Sequence, residues 1–298
     1  MKQLSDKFIR LTLGLIIRMI CLAPLWVLDW AARIVSRIRV ASRGREASWF
    51  HANLENVLKL PPHSGFARRF MRQVYYHQVV SAMETIRCIE KPELARWDGL
   101  YDFQKKLLSC EDSAESVKKG QILITGHVGC WELVGAWAAR LSQNSFHALA
   151  KPARNKALTE VLDQLRVRMG IRVLWTGQKT IQRQMLRALA AGDWLGFVMD
   201  QKPVGRVGPS VDFFGNQAEF VAGPAQMAIR GGLPVIAVFC LRLGPMHFRL
   251  LCREVAPAGH GITDRDEMTR LMAAEIEDVI RCYPEQWCWN YKRWRFDS

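Results

Sequence analysis

The eight cysteines, at 21, 88, 110, 130, 240, 252, 282 and 288, include no Cys-x-x-Cys pair and no zinc-finger spacing. A disulfide framework or a cysteine metal site is therefore not expected, and the thiols read as reduced and mostly structural. No Gly-x-Ser-x-Gly occurs, which removes the nucleophile elbow of a serine hydrolase. His127, His147, His247 and His260 are scattered without ligand spacing, so no metal is expected. Internal repeats and low-complexity segments are absent as well. Negative charge is scarce: 28 acidic residues stand against 42 basic ones, a net charge of +14. Such an excess calls for a polyanionic partner, whether nucleic acid, an anionic membrane surface or a phosphorylated substrate. Nucleic acid fits poorly, because there is no glycine-aromatic RNA-binding signature and the apolar N-terminus would go unexplained.

What is present begins with that N-terminus. Leu11 to Ala32 is strongly apolar, interrupted by Arg18, Pro24 and Asp29. Its length nearly matches the roughly 20 apolar residues that cross a bilayer. The interruptions argue instead for a helix dipping into one leaflet, or a broken hairpin. Arg33, Arg37, Arg39, Arg43 and Arg45 follow, against Lys2, Lys7 and Arg10 before it. The bias places the body of the protein on the cytoplasmic side of the membrane, with the arginines among anionic headgroups. Eleven tryptophans suit a water–lipid interface. A buried helix of a soluble protein is the alternative reading, and no small-x-small site marks a cleaved signal peptide.

Residues 1–40 thus read as a membrane-anchoring segment and 41–298 as one catalytic-sized domain. Ala47 to Ile89 is helical and basic, broken by Pro61-Pro62. A polar, linker-like stretch runs from Ser109 to Gly120. Strands and helices then alternate, giving an α/β fold: a mixed sheet flanked by helices. Strands are expected at Gln121–Thr125, Ser145–Lys151, Ile171–Trp175, Trp194–Met199 and Leu233–Leu241, with His247–Val255 pairing to the last. Helices are expected at Trp131–Ala139, Asn155–Met169, Lys179–Ala191, Gly223–Arg230 and Asp264–Cys282.

The most informative stretch is Gly126-His127-Val128-Gly129-Cys130-Trp131-Glu132, which sets His127 at a strand end and Glu132 in the first helical turn. In open α/β sheets the crevice beyond strand ends binds ligands. A carboxylate there fixes the imidazole tautomer and leaves the other nitrogen to take a proton. The pair meets only if the chain turns between them, a turn Gly129 permits. Asp200-Gln201 sits at a second strand end, ahead of the glycine-containing loop Gly205-Arg206-Val207-Gly208-Pro209. Asp200 is suited to orient a cation or receive a hydrogen bond. Lys151-Pro152-Ala153-Arg154-Asn155 follows a third strand and precedes a helix, an arrangement suited to phosphate. Arg166 and Arg168 either reach the same anion or cap the helix dipole. Trp131, Trp137 and Trp175 are candidates to line an apolar tunnel, with core packing as the plainer role.

Taken together these segments resemble the bacterial lipid A biosynthesis acyltransferases, the late lauroyl/myristoyl-type enzymes. The resemblance runs through His51-Ala52-Asn53-Leu54, Gly126–Glu132, Lys151-Pro152 with Asn155, Arg166 and Arg168, Met199-Asp200-Gln201, Phe213-Phe214-Gly215 and Pro284–Trp294. It departs at Tyr291, where the family often has His before the basic pair. The resemblance implies a glycerolipid-acyltransferase-like fold and O-acyl transfer from acyl carrier protein to a hydroxyl of a phosphorylated glycolipid, the lipid A precursor. It implies no cofactor, with His127 as general base and Glu132 orienting it. Lys151, Arg154, Asn155, Arg166, Arg168, Asp200 and Gln201 are the expected substrate-binding residues. A different lipid acceptor, such as a lysophospholipid or a phosphoinositol glycolipid, served by acyl-CoA, is the alternative.

Overall fold

Pro24 divides the apolar N-terminus into two helices, α1 (Lys2–Leu22) and α2 (Leu25–Ala41). Its ring fixes φ at −57° and supplies no N–H, so one helix stops and the next starts there. The structure, a computed structural model, describes residues 2–42, 44–109, 120–203 and 208–294. Most of the linker-like stretch, Arg43, and Gly205, Arg206 and Val207 of the glycine-containing loop lie outside the described residues. Among the described residues no helix is long and apolar enough to cross a membrane. Both N-terminal helices instead pack on the body. The Arg87 guanidinium, from α4 (Gly65–Glu90), donates to the carbonyls of Ile20 and Ala23 that α1 leaves open at its end. The Tyr76 hydroxyl of the same helix donates to Asp29 of α2 at 2.5 Å.

Between them lies α3 (Arg45–Asn56), and Pro61-Pro62 separates α3 from α4 as expected. The Ser64 hydroxyl caps α4 by accepting the Ala67 N–H at 3.1 Å. A three-residue strand, β1 (Arg96–Asp98), and α5 (Leu100–Ser109) follow. The alternating region is β2 (Ile122–Thr125), α6 (Trp131–Leu141), β3 (Phe146–Ala150), α7 (Lys156–Arg168), β4 (Arg172–Trp175), α8 (Ile181–Ala190) and β5 (Trp194–Val198). A small antiparallel hairpin, β6 (Ser210–Phe213) and β7 (Asn216–Glu219), precedes α9 (Gly223–Gly231). The long antiparallel pair β8 (Val235–Gly244) and β9 (His247–Ala256) and then α10 (Arg265–Cys282) complete the elements.

The main sheet has the order β1-β9-β8-β2-β5-β3-β4. Strands β8, β2, β5, β3 and β4 run parallel, and β9 turns back along β8. Side chains alternate between the faces. Ile122, Ile124, Leu195 and Phe197 enter one core with α8, α9 and α10; Leu123, Phe146 and Val238 enter the other with α5 and α6. Both faces are covered, and at the carboxyl edge of the central strands a cavity opens. That is where the site lies.

Candidate active site

Strands β2 and β5 pair in parallel with Thr125 opposite Val198. His127 and Asp200 each stand two residues beyond those partners, so the register alone sets them side by side. The His127 Nδ1 is 2.7 Å from Asp200 Oδ1, and the His127 backbone N–H donates to Oδ2 at 2.9 Å. Trp287 adds its indole N–H to the same Oδ2 at 2.7 Å. Asp200 is 2% exposed, and with these three donors its carboxylate has one task, to hold the imidazole. With Nδ1–H donating to Asp200, Nε2 is left as the proton acceptor. The Gln201 amide nitrogen lies 3.4 Å from it.

Burial works against charge on both groups, yet their mutual attraction outweighs it. The imidazole is held above the ordinary histidine range by the Asp200 charge and hydrogen bond. The Asp200 carboxyl is held below its usual range by the His127 charge and the hydrogen bonds from His127 and Trp287. This is the arrangement of a basic imidazole oriented by a buried acid.

The expected partnership of His127 with Glu132 is corrected by this geometry. Glu132 lies in the first turn of α6, and Arg166 of α7 forks its carboxylate, with Nε to Oε2 at 3.1 Å and Nη2 to Oε1. The chain does turn at Gly129, where φ is +58° and a Cβ would stand 2.3 Å from the Cys240 carbonyl oxygen. The turn serves a different end. The Gly129 N–H reaches the Gln286 carbonyl at 3.0 Å and the Cys130 N–H reaches that of Cys240 at 2.8 Å, so the loop is pinned to the C-terminal segment and β8. Glu132 acts on His127 only through its charge, the weakest of the influences on it.

The remaining expected residues separate into those at the cavity and those away from it. A cavity of about 480 Å³ opens at His127 and is bordered at its polar end by Glu132, Lys151, Arg166 and Gln201. Trp131 also lines it and meets the His127 ring edge-on at 5.1 Å. Trp137 packs on Trp97 instead. Asn155 caps α7, accepting the Leu158 N–H at 3.0 Å, and Arg154 is exposed on the loop before it. Arg168 pairs with Glu90 at the end of α4, so it does not share a ligand with Arg166. Asp200, expected among the substrate-binding residues, is too buried to touch one. Cys130 is buried, with its thiol facing the Ser81 carbonyl at 4.0 Å.

Two of the motifs turn out to be one scaffold. The Asn53 side chain donates to the carbonyls of Trp289 and Tyr291, at 2.7 and 2.9 Å. The segment so anchored carries Trp287 to Asp200 and Gln286 to the His127 loop. Trp287 was the functional contact that sequence reasoning missed; its signal was the tryptophan density of 287–294.

An imidazole–carboxylate pair thus stands at the strand-end mouth of a largely apolar cavity on a mixed α/β sheet, an arrangement suited to an enzyme that takes a proton from a ligand in that cavity. The sequence profile of the bacterial lipid A biosynthesis acyltransferases matches residues 7–296, and the chain belongs to that family. It is also similar to a phosphatidylinositol mannoside acyltransferase of Mycolicibacterium smegmatis, 25% identical over 186 residues, which span 62% of this chain and 60% of that protein. The protein of the same description from Mycobacterium tuberculosis strain H37Rv is 24% identical over 188 residues, 62% of this chain and 58% of its own. The chain thus matches about three-fifths of the length of these curated relatives.

Proposed function

We propose that the chain transfers a fatty acyl group from a thioester to a hydroxyl of a membrane lipid. The observation that carries this reading is the His127–Asp200 pair at the mouth of the apolar cavity. His127 Nε2 takes the hydroxyl proton as the oxygen attacks the thioester carbonyl, Asp200 stabilises the imidazolium that forms, and the thiolate leaves. Arg166 and Lys151 at the mouth supply positive charge for the developing oxyanion or for a phosphate on either substrate. The donor is acyl carrier protein and the acceptor a phosphorylated lipid A precursor, as family membership supports. A phosphoinositol glycolipid is the second reading, favoured by the descriptions of the mycobacterial relatives, with acyl-CoA as its donor. Labelled acyl carrier protein and acyl-CoA offered in parallel to both acceptors separate the two. A one-acyl mass gain on the lipid A precursor supports the first reading, and a gain confined to the phosphoinositol glycolipid replaces it with the second. Labelling of neither lipid sinks both.

The site works on the cytoplasmic face of the bacterial inner membrane. Phe8, Leu11, Leu15, Met19, Leu22, Trp26 and Trp30 are all more than half exposed and recur every three or four residues along α1 and α2. That stripe suits a pair of helices lying in one leaflet, with neighbouring arginines among anionic headgroups. Trp26→Ser/Trp30→Ser is expected to weaken binding to anionic vesicles at least about tenfold, since each removes a large exposed apolar area that the membrane would cover. Co-sedimentation with anionic and neutral vesicles checks this; equal binding by wild type and variant would remove the stripe from the account.

A further inference from the structure

The cavity runs from His127 down the α6 face of the sheet. Leu123, Gly196 and Ala148 stand level there on β2, β5 and β3. Two of these three side chains have almost no bulk, and α6 lays Gly135 over the gap. Strand and helix are thereby held apart by a slot with apolar walls.

Two residues deeper on the same face, Phe146 fills that slot. A Cβ on Gly196 would stand 2.4 Å from the Phe146 ring, and one on Gly135 would stand 3.4 Å from it and 2.8 Å from Ile171. The ring is therefore wedged between strand and helix with Ile171 beside it, both buried. Phe146 and Ile171 line the cavity, whereas Trp194, level with Phe146 on β5, does not. The cavity ends at this ring. At the strand rise, four residues separate the level of His127 from that of Gly196, roughly 13 Å.

We propose that Phe146 is the specificity-determining stop of a fatty-acyl pocket, the ring against which the terminal methyl of the transferred chain rests. The assignment rests on the acyl-transfer reading above. A second arm of the cavity passes toward α8 and α9 and is lined by Met185 and Met227. Unbranched thioether side chains bend to fit many shapes and make a poor ruler. A phenyl ring standing on glycine backbone is rigid, and only the arm that holds it can count carbons.

The test uses the full chain and two readouts, with thioesters from eight to eighteen carbons competing for transfer. Non-reactive alkyl thioether analogues of the same lengths are titrated by calorimetry, so the pocket is read without turnover. Phe146→Ala is expected to move the optimum to longer chains in both, changing the long-to-short ratio at least about tenfold, as each methylene in an apolar pocket discriminates by that order. Phe146→Leu, which keeps the core filled, is expected to fall between, and Met227→Ala to leave the optimum in place. An unchanged profile in Phe146→Ala and Phe146→Leu, both folded by thermal unfolding, overturns the proposal. So does a shift produced by Met227→Ala instead. A shift in analogue binding without any transfer keeps the stop and fells the acyl-transfer reading alone.

Discussion

Asp200→Asn is expected to cut kcat by about 10³–10⁴-fold while leaving the fold intact. The substitution keeps an oxygen for the His127 backbone N–H and the Trp287 indole. It removes the charge that stabilises the imidazolium, and its amide turns a donor toward Nδ1, which favours the wrong tautomer; losses of this order follow in a triad whose acid is so replaced. The pH profile gives an independent sign. On the proposed mechanism His127 works unprotonated, and Asp200 raises its pKa, so in the wild type the acid limb is expected above the ordinary histidine value of about 6.5. In the variant the Asp200 attraction is gone and burial is opposed only by the weaker pull of Glu132, so the limb moves to lower pH even as the plateau falls. A variant that loses rate with an unmoved limb would mean that Asp200 does not set the charge of His127.

Arg242→Met is expected to destabilise the fold by about 3–5 kcal/mol, because it strands a buried carboxylate. Glu84 of α4 and Arg242 of β8 are 2% and 7% exposed and form a forked pair, with Nε to Oε2 at 2.8 Å and Nη2 to Oε1 at 2.9 Å. The Met246 N–H adds a third bond to Glu84 at 3.2 Å. Burial already holds the Glu84 carboxyl above its usual range, against the pull of Arg242. Without Arg242 it rises further. A carboxyl whose folded pKa exceeds its unfolded value of about 4.3 favours folding when protonated, so the penalty is small in acid. It grows as pH rises from there toward the folded value. Denaturant unfolding at pH 4.5 and pH 7.5 measures this. Adding Glu84→Leu to Arg242→Met is expected to recover most of the loss, since two apolar groups leave no charge unpaired.

How much of this was legible in the sequence depended on whether the signal was local. The alternation of β2 through β5, the helix starts at Asn155 and Asp264, which prove to be the caps, and the break at Pro61-Pro62 are set by neighbours in the chain and stand within a residue of the pattern. The three-residue β1 is too short to carry a period, and the hairpin of β6 and β7 enters the sequence reading only through the motif Phe213-Phe214-Gly215, not as strands. His127 was placed at a strand end on the same local grounds. Its partner was not local. Glu132 is five residues away and Asp200 seventy-three, yet β3 and β4 are laid outward so that β5 returns beside β2. That strand order is a tertiary fact, and it decides which carboxylate meets the imidazole. The cue within the sequence was that both residues stand just past the end of an expected strand.

The most direct measurement of the central claim is single-turnover transfer of a labelled acyl group from thioester to lipid hydroxyl by wild type and His127→Ala at equal vesicle binding. The account predicts that the variant binds the vesicles and leaves the lipid unlabelled over the time in which wild type completes the reaction. Transfer at the wild-type rate by His127→Ala would contradict it.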